Sequence, residues 1–171
     1  MLAKSRLLSV MLLLITMSAA GAADVSREDK IKAGYIYNFA KLVTWPQTES
    51  SLFKICIMDG DIYEAASTLT GKDIHGKRVE VKKITASESV NTECMIIFIT
   101  KSANMEEVLE TVKGLPILTL ADTINFVSKG GIIEMFVENN KIRFSINEKS
   151  AIENDLQISP RLSGLANIVI R

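Results

Sequence analysis

The stretch KIKAGYIYNFAKLVTWP, Lys30 to Pro46, decides how the rest of the chain is read. Ile31, Tyr35, Asn38 and Leu42 recur at helical spacing, and Phe39 and Val43 widen the stripe, as on the core-facing side of an amphipathic helix. Trp45-Pro46 ends it, because a residue before proline is pushed out of the helical region. Three residues upstream of Asp29, Ser26 has the spacing of a capping box with Asp in place of Glu, so the helix is expected to start there. The expectation is a helix rich in large side chains on which the remaining elements pack.

Before this helix, Lys4 and Arg6 precede an apolar run from Leu7 to Met17 and then the small residues Ser18 to Ala23. This is the pattern of a secretory signal peptide, with cleavage expected near Ala22-Ala23, and the run is short for a membrane span. Residues 1–23 are therefore read as a leader and 24–171 as one domain, exported, most simply to a bacterial periplasm. Acidic and basic residues balance at 20 each, with no basic block suited to a phosphate backbone, so nucleic-acid binding is not expected.

Beyond the first helix, Phe53 to Met58, Met95 to Ile99 and Pro116 to Leu120 are compact apolar runs read as buried strands, and Val79 to Ile84 is a partly exposed one. Ile132 to Val137 and Lys141 to Ile146 flank the turn Glu138-Asn139-Asn140, and form a hairpin. Helices are expected at Ile62 to Leu69, Asn104 to Val112, Ser150 to Leu156, and from Ser159-Pro160 onward, the last with Leu162, Leu165, Ala166 and Val169 as its stripe. Strands alternating with helices and closed by a hairpin specify an α/β fold, a mixed sheet of about six strands in a Rossmann-like single domain.

Chemistry is sparse. The single histidine, His75, lies in the polar, turn-like run Asp73 to Arg78, with no nucleophile elbow elsewhere to serve. A P-loop and a GxGxxG pattern are both absent, and Gly130-Gly131 reads as a tight backbone position. Asp59 and Asp61 follow a buried strand, where open α/β sheets bind ligands, but they equally suit a turn and a helix cap. No catalytic residue, metal set or cofactor is expected. Cys56 and Cys94 are the only cysteines. In an oxidising compartment they form a disulfide candidate, though two buried thiols are the other reading. A bridge would close a loop of about 39 residues, worth roughly 4 kcal/mol in the chain-entropy model.

The ordered set of segments resembles the YfiR/HmsC-like periplasmic proteins. The resemblance is carried by Lys32 to Lys41 with Trp45-Pro46, Ile55-Cys56-Ile57, Gly71-Lys72, Gly76 to Val79, Cys94 to Ile99, Ile117 to Asp122, Gly130 to Ile133, Ile142 to Asn147 and Leu156 to Leu162. It implies a non-enzymatic repressor that binds the periplasmic sensor part of an inner-membrane diguanylate cyclase, lowers cyclic di-GMP and restrains biofilm formation. It also implies a homodimer, release by an outer-membrane lipoprotein that sequesters the repressor, and a bridge at Cys56 and Cys94. A second cysteine pair found in the C-terminal third of some relatives has no counterpart here. The surface expected to meet the partner is the apolar C-terminal segment Ile152, Leu156, Ile158 and Leu162, with Arg143 as an anion-pairing residue. The competing reading is a periplasmic small-molecule sensor with Tyr35, Trp45 and Asp59 lining its pocket.

Overall fold

The computed structural model describes residues 25–47, 49–58, 60–85, 93–101 and 103–171. The leader 1–23 and the candidate Asp59 lie outside the described residues. The elements are α1 (Arg27–Leu42), β1 (Val43–Thr44), β2 (Leu52–Met58), α2 (Ile62–Ser67), β3 (Asp73–Ile74), β4 (Lys77–Ile84), β5 (Ile96–Ile99), α3 (Met105–Val112), β6 (Leu118–Ala121), β7 (Ile133–Glu138), β8 (Lys141–Asn147), α4 (Glu148–Glu153), β9 (Gln157–Ile158), α5 (Pro160–Ser163) and β10 (Ile168–Ile170). A turn of 3-10 helix at Val127–Lys129 precedes β7.

Among the described residues the main sheet has eight strands in the order β10-β8-β7-β6-β5-β2-β4-β3. β4, β2, β5, β6 and β7 run parallel to their neighbours. β3 and β8 are antiparallel additions at the two sides, and β10 lies parallel to β8. The α/β mixed-sheet expectation holds, and all six expected strands are present. The chain leaves β2 through α2 to reach β4, then returns to β5 on the other side of β2, so the order reverses between β2 and β5.

The strands at the centre are apolar because both their faces are covered. Phe53, Ile55 and Ile57 of β2, Ile96 and Phe98 of β5, and Leu118 and Leu120 of β6 face the layer that holds α1 and α2. Their alternates Cys56, Met58, Ile97, Ile99 and Ala121 face α3. Continuous hydrophobic runs, not alternation, are the mark of such doubly covered parallel strands. The bridge Cys56–Cys94, with Cα atoms 5.9 Å apart, ties β2 to the run before β5 within the α3-side core.

Helix α1 begins as expected: the Ser26 side chain accepts a hydrogen bond from the Asp29 N–H at 3.0 Å, and its hydroxyl donates to the Asp29 carboxylate at 2.6 Å. Its buried face differs from the expected one. Lys32, Ala33, Ile36, Phe39 and Ala40 are buried, whereas Ile31 and Asn38 are exposed. The stripe is turned by one position, about 100° around the axis. Ala33 and Ala40 let the backbone approach the sheet, so that Ile36 and Phe39 reach it; ring size alone draws the eye to the wrong flank.

Two further expectations are corrected. The final helix is a single turn, with Ser159 accepting from the Leu162 N–H at 3.2 Å and Pro160 at its first position. Gly164 closes it, and the chain then extends into β10, placing Val169 opposite Ile146. An open backbone edge on β8 captures a β-branched run, Ile168-Val169-Ile170, whose spacing from Leu162 and Leu165 also fits a helix. The turn-like run at His75 proves to be a tight hairpin: β3 and β4 pair on either side of His75-Gly76, whose φ angles are 53° and 76°. At the β7–β8 hairpin, Asn139 and Asn140 both adopt positive φ, 49° and 58°, the left-handed pair that a two-residue turn needs. Gly131 sits against the Phe126 ring, where a Cβ would fall 2.2 Å from a ring carbon. The position serves close packing.

Candidate functional site

Of the three residues expected to line one pocket, Tyr35 and Trp45 are not brought together, and Asp59 lies outside the described residues. Tyr35 lies on the flank of α1, packed at 5.6 Å and 5.9 Å between ring centroids on Phe39 and Phe144. Its hydroxyl donates to the Ile142 carbonyl at 3.2 Å. Trp45 lies beyond the other end of α1, stacked edge-on against Phe53 at 5.1 Å, with its indole N–H donating to the Met95 carbonyl at 3.2 Å. Ten residues, most of them helical, separate the two, roughly 15 Å along the axis. Two shallow concavities flank Trp45. One, of about 410 Å³, is lined by Trp45, Leu52, Cys94 and Pro116; the other, of about 380 Å³, by Trp45, Phe53, His75 and Lys77. Gly60 is close-packed: a Cβ there would lie 2.7 Å from the Thr100 methyl.

His75 has a structural partner that its polar neighbourhood does not advertise. Its Nε2 lies 2.9 Å from the Ala40 carbonyl and 3.2 Å from that of Val43. Carbonyls in the last turn of a helix lack intrahelical donors, and in the Nε2–H tautomer His75 donates to that of Ala40 and to that of Val43 just beyond the helix. The contact is local in space but 35 residues away in sequence, so only the β3–β4 hairpin makes it.

At the opposite end of α1, Lys32 is 6% exposed. Its ammonium lies 2.6 Å from Asp122 at the carboxyl end of β6 and 2.7 Å from Glu28 one turn back. Burial on its own pushes the Lys32 pKa down. The hydrogen bonds and charges of Asp122 and Glu28 outweigh it, and the group sits above its ordinary value. Helix α1 is therefore pinned to the sheet by charge at its start and by the His75 hydrogen bonds at its end. The legible signal for the first pin was a lysine inside an otherwise apolar face.

The C-terminal candidates divide into layers. Helix α4 is capped by Asn147, which accepts from the Ser150 N–H at 2.9 Å. β9 then pairs with β1, Val43 opposite Ile158, and α5 follows. Together they form a concavity of about 520 Å³ lined by Ile152, Leu156, Ile158, Pro160 and Gly164, with Glu148 and Arg171 at its rim. Glu148 accepts from Ser163 Oγ at 2.5 Å and from Arg171 Nε at 3.1 Å. Ile152 is 72% exposed, while Leu156 and Leu162 are each 1% exposed and belong to the core. Leu156 forms the floor, and Leu162 lies in the core with it. Leu165 and Ile168, 65% and 56% exposed, extend the apolar area of this C-terminal segment; placing Leu165 on the stripe of a last helix hid it. Arg143 is elsewhere, in a concavity with Tyr35 at the start of α1.

Among the described residues no group of three or more His, Cys, Asp and Glu is placed to hold a metal ion, and no helix is long and apolar enough to cross a membrane. The described residues form apolar concavities with charged residues among their linings.

Similar architecture occurs in solved structures of remote sequence. A conserved domain protein from Vibrio cholerae O1 biovar eltor superposes with a TM-score of 0.55 at 8% identity, covering 82% of this chain and 60% of that one. An ABC domain in complex with L-Trp from Streptococcus pneumonia gives 0.54 at 13% identity, covering 83% and 60%. The chain thus spans about 60% of the length of these structures, and the likeness is one of fold. No curated protein matches it in sequence. Residues 29–167, from the first turn of α1 to the edge of β10, match the YfiR/HmsC-like family, and the chain belongs to that family.

Proposed function

We propose that the protein is an exported regulator, cleaved near Ala22-Ala23, that restrains an inner-membrane diguanylate cyclase by binding its periplasmic sensor. The observation that carries this reading is the family match across residues 29–167. The exposed Ile152 beside the apolar concavity supports it, as the kind of anchor that partner surfaces use. A cyclase works on the far side of the membrane, so a periplasmic protein acts only by biasing the sensor between two states. Moving the sensor from mostly on to mostly off takes about 5 kcal/mol of differential affinity. In this reading the protein is a homodimer, and an outer-membrane lipoprotein relieves repression by sequestering it.

The test is cellular cyclic di-GMP with and without the gene. Deletion raises it, and the exported protein restores it, whereas a form lacking residues 1–23 does not. An unchanged level on deletion sinks the reading.

A second reading, a small-molecule sensor, draws on the two concavities beside Trp45, whose volumes of about 410 and 380 Å³ fall in the range of ligand pockets. A thermal-shift screen of small metabolites against wild type and Trp45→Ala separates it: this reading requires a stabiliser of wild type that loses its effect on the variant.

A further inference from the structure

The two halves of β8 are dressed differently along their outer edge. β10 pairs with Ser145, Ile146 and Asn147, and the Asn167 N–H donates to the Phe144 carbonyl at 2.8 Å. No strand of the described residues lies beside Lys141 to Arg143 on that edge. Alternate residues of an antiparallel strand turn their backbone groups away from the partner strand. The Asn147 N–H donates inward to Ile132, so Ile142, Phe144 and Ile146 face outward. The Ile142 carbonyl accepts there from the Tyr35 hydroxyl, at 3.2 Å, which stands where a strand's N–H would.

The side chains around this open edge sort by face. On the α1 side lie Ile142, its cross-strand neighbour Val137, and Tyr35 with Ile31; Val137 and Ile31 are exposed. Lys141 and Arg143 project from the other face, and Arg27 adds a third cation to the same concavity of about 630 Å³. Two carboxylates are nearby. Glu28 is engaged by Lys32 at 2.7 Å, and Glu138 lies 3.9 Å from Arg143 Nε, both of them half-exposed. Positive charge is left in excess.

We propose that the open half of β8 is a docking edge for an extended, acidic segment of a partner protein, which adds as a strand in line with β10. Its apolar side chains lie against Ile142, Val137 and Ile31, and the acidic ones alternating with them lie beside Lys141 and Arg143. Main-chain hydrogen bonds supply affinity in such strand addition, and the alternate side chains supply selectivity. The Tyr35 hydroxyl gives up the Ile142 carbonyl as the segment enters. The assignment goes beyond the regulatory reading and does not depend on the partner being a cyclase sensor.

The probe is a fluorescent eight-residue peptide of alternating valine and glutamate, titrated by anisotropy, with lysine replacing glutamate in the control. Saturable binding of the acidic peptide is expected, at least tenfold tighter than the control on unaltered protein. Arg143→Glu combined with Lys141→Glu reverses the preference. Tyr35→Phe tightens acidic-peptide binding by about 2- to 10-fold, the range of one neutral hydrogen bond removed from competition. At saturation the Ile142 amide exchanges more slowly with solvent. Equal binding of the two peptides, no binding of either, or an Ile142 amide that exchanges unchanged each overturns the proposal.

Discussion

The middle of the sheet and the C-terminal segment use the same residue types to opposite ends. In β2, β5 and β6 the apolar side chains from Phe53 to Met58, Ile96 to Ile99 and Leu118 to Ala121 are sealed between α1 and α3. From Glu148 onward, Leu156 and Leu162 are sealed just as completely, but Ile152 before them and Leu165 and Ile168 after them face outward. In the middle, parallel strands are covered on both faces, so apolar means buried. In the last 24 residues the elements are one or two turns long and have only one covered side. An apolar residue there is core or surface according to which way a short element points. Hydrophobicity is evidence of packing only where the neighbours are settled.

The widest gap between the two regions is expected on truncation. Phe39→Ala, which empties the contact between α1 and Phe144, lowers stability by about 3–5 kcal/mol in urea denaturation. The partly covered middle of the comparison is the bridge: replacing Cys56 and Cys94 together by alanine costs about 2–4 kcal/mol, read in the same way without reductant. Equal urea midpoints for wild type and this double variant would show the α3-side core to be self-sufficient.

Charge at the border of the core has a smaller effect. Lys32 has a folded pKa above its unfolded one, so its pairing stabilises fully below the unfolded value near 10.4 and is lost as pH rises through the folded value. With Glu28 half in solvent, the contribution is at most about 1 kcal/mol. Urea midpoints measured from pH 9 upward should fall more steeply for wild type than for Lys32→Met. Parallel slopes would remove Lys32 from the alkaline transition.

The smallest effect on stability is expected at Ile152. Ile152→Glu stays within about 0.5 kcal/mol of wild type, as exposed substitutions do, yet abolishes the lowering of cyclic di-GMP proposed above. A loss of several kcal/mol would place Ile152 with the core and erase the contrast between the two regions.

The legibility of the sequence follows the same division. β2, β5, β6 and the β7–β8 hairpin were readable because apolar runs and paired asparagines act within a few residues. The buried side of α1 was misjudged by one position, because Ile31, Tyr35 and Leu42 are larger than Ala33 and Ala40, and the close approach of the sheet favours the small residues. The helix expected through Val169 failed because one run of spacing fits two periods, and the free edge of β8 decided between them. Of the candidate site, Ile152, Leu156 and Ile158 do meet in one concavity. Arg143 does not join them, since it lies on the half of β8 that β10 leaves uncovered, two residues before Ser145. Tyr35 and Trp45 share a helix and its exit but not a surface.

By itself the sequence determined the α/β class, the central strands, the capping of α1 at Ser26 and the membership implied by its ordered segments, all of which depend on local pattern or on composition. Tertiary structure alone decided the grip of His75 on the end of α1, the Lys32–Asp122 contact and the half-open edge of β8. Each of these joins residues 32 to 90 positions apart or depends on a strand that stops short. Such contacts are set by where the packed sheet brings backbone and charge together, and chain-neighbour chemistry carries no record of that.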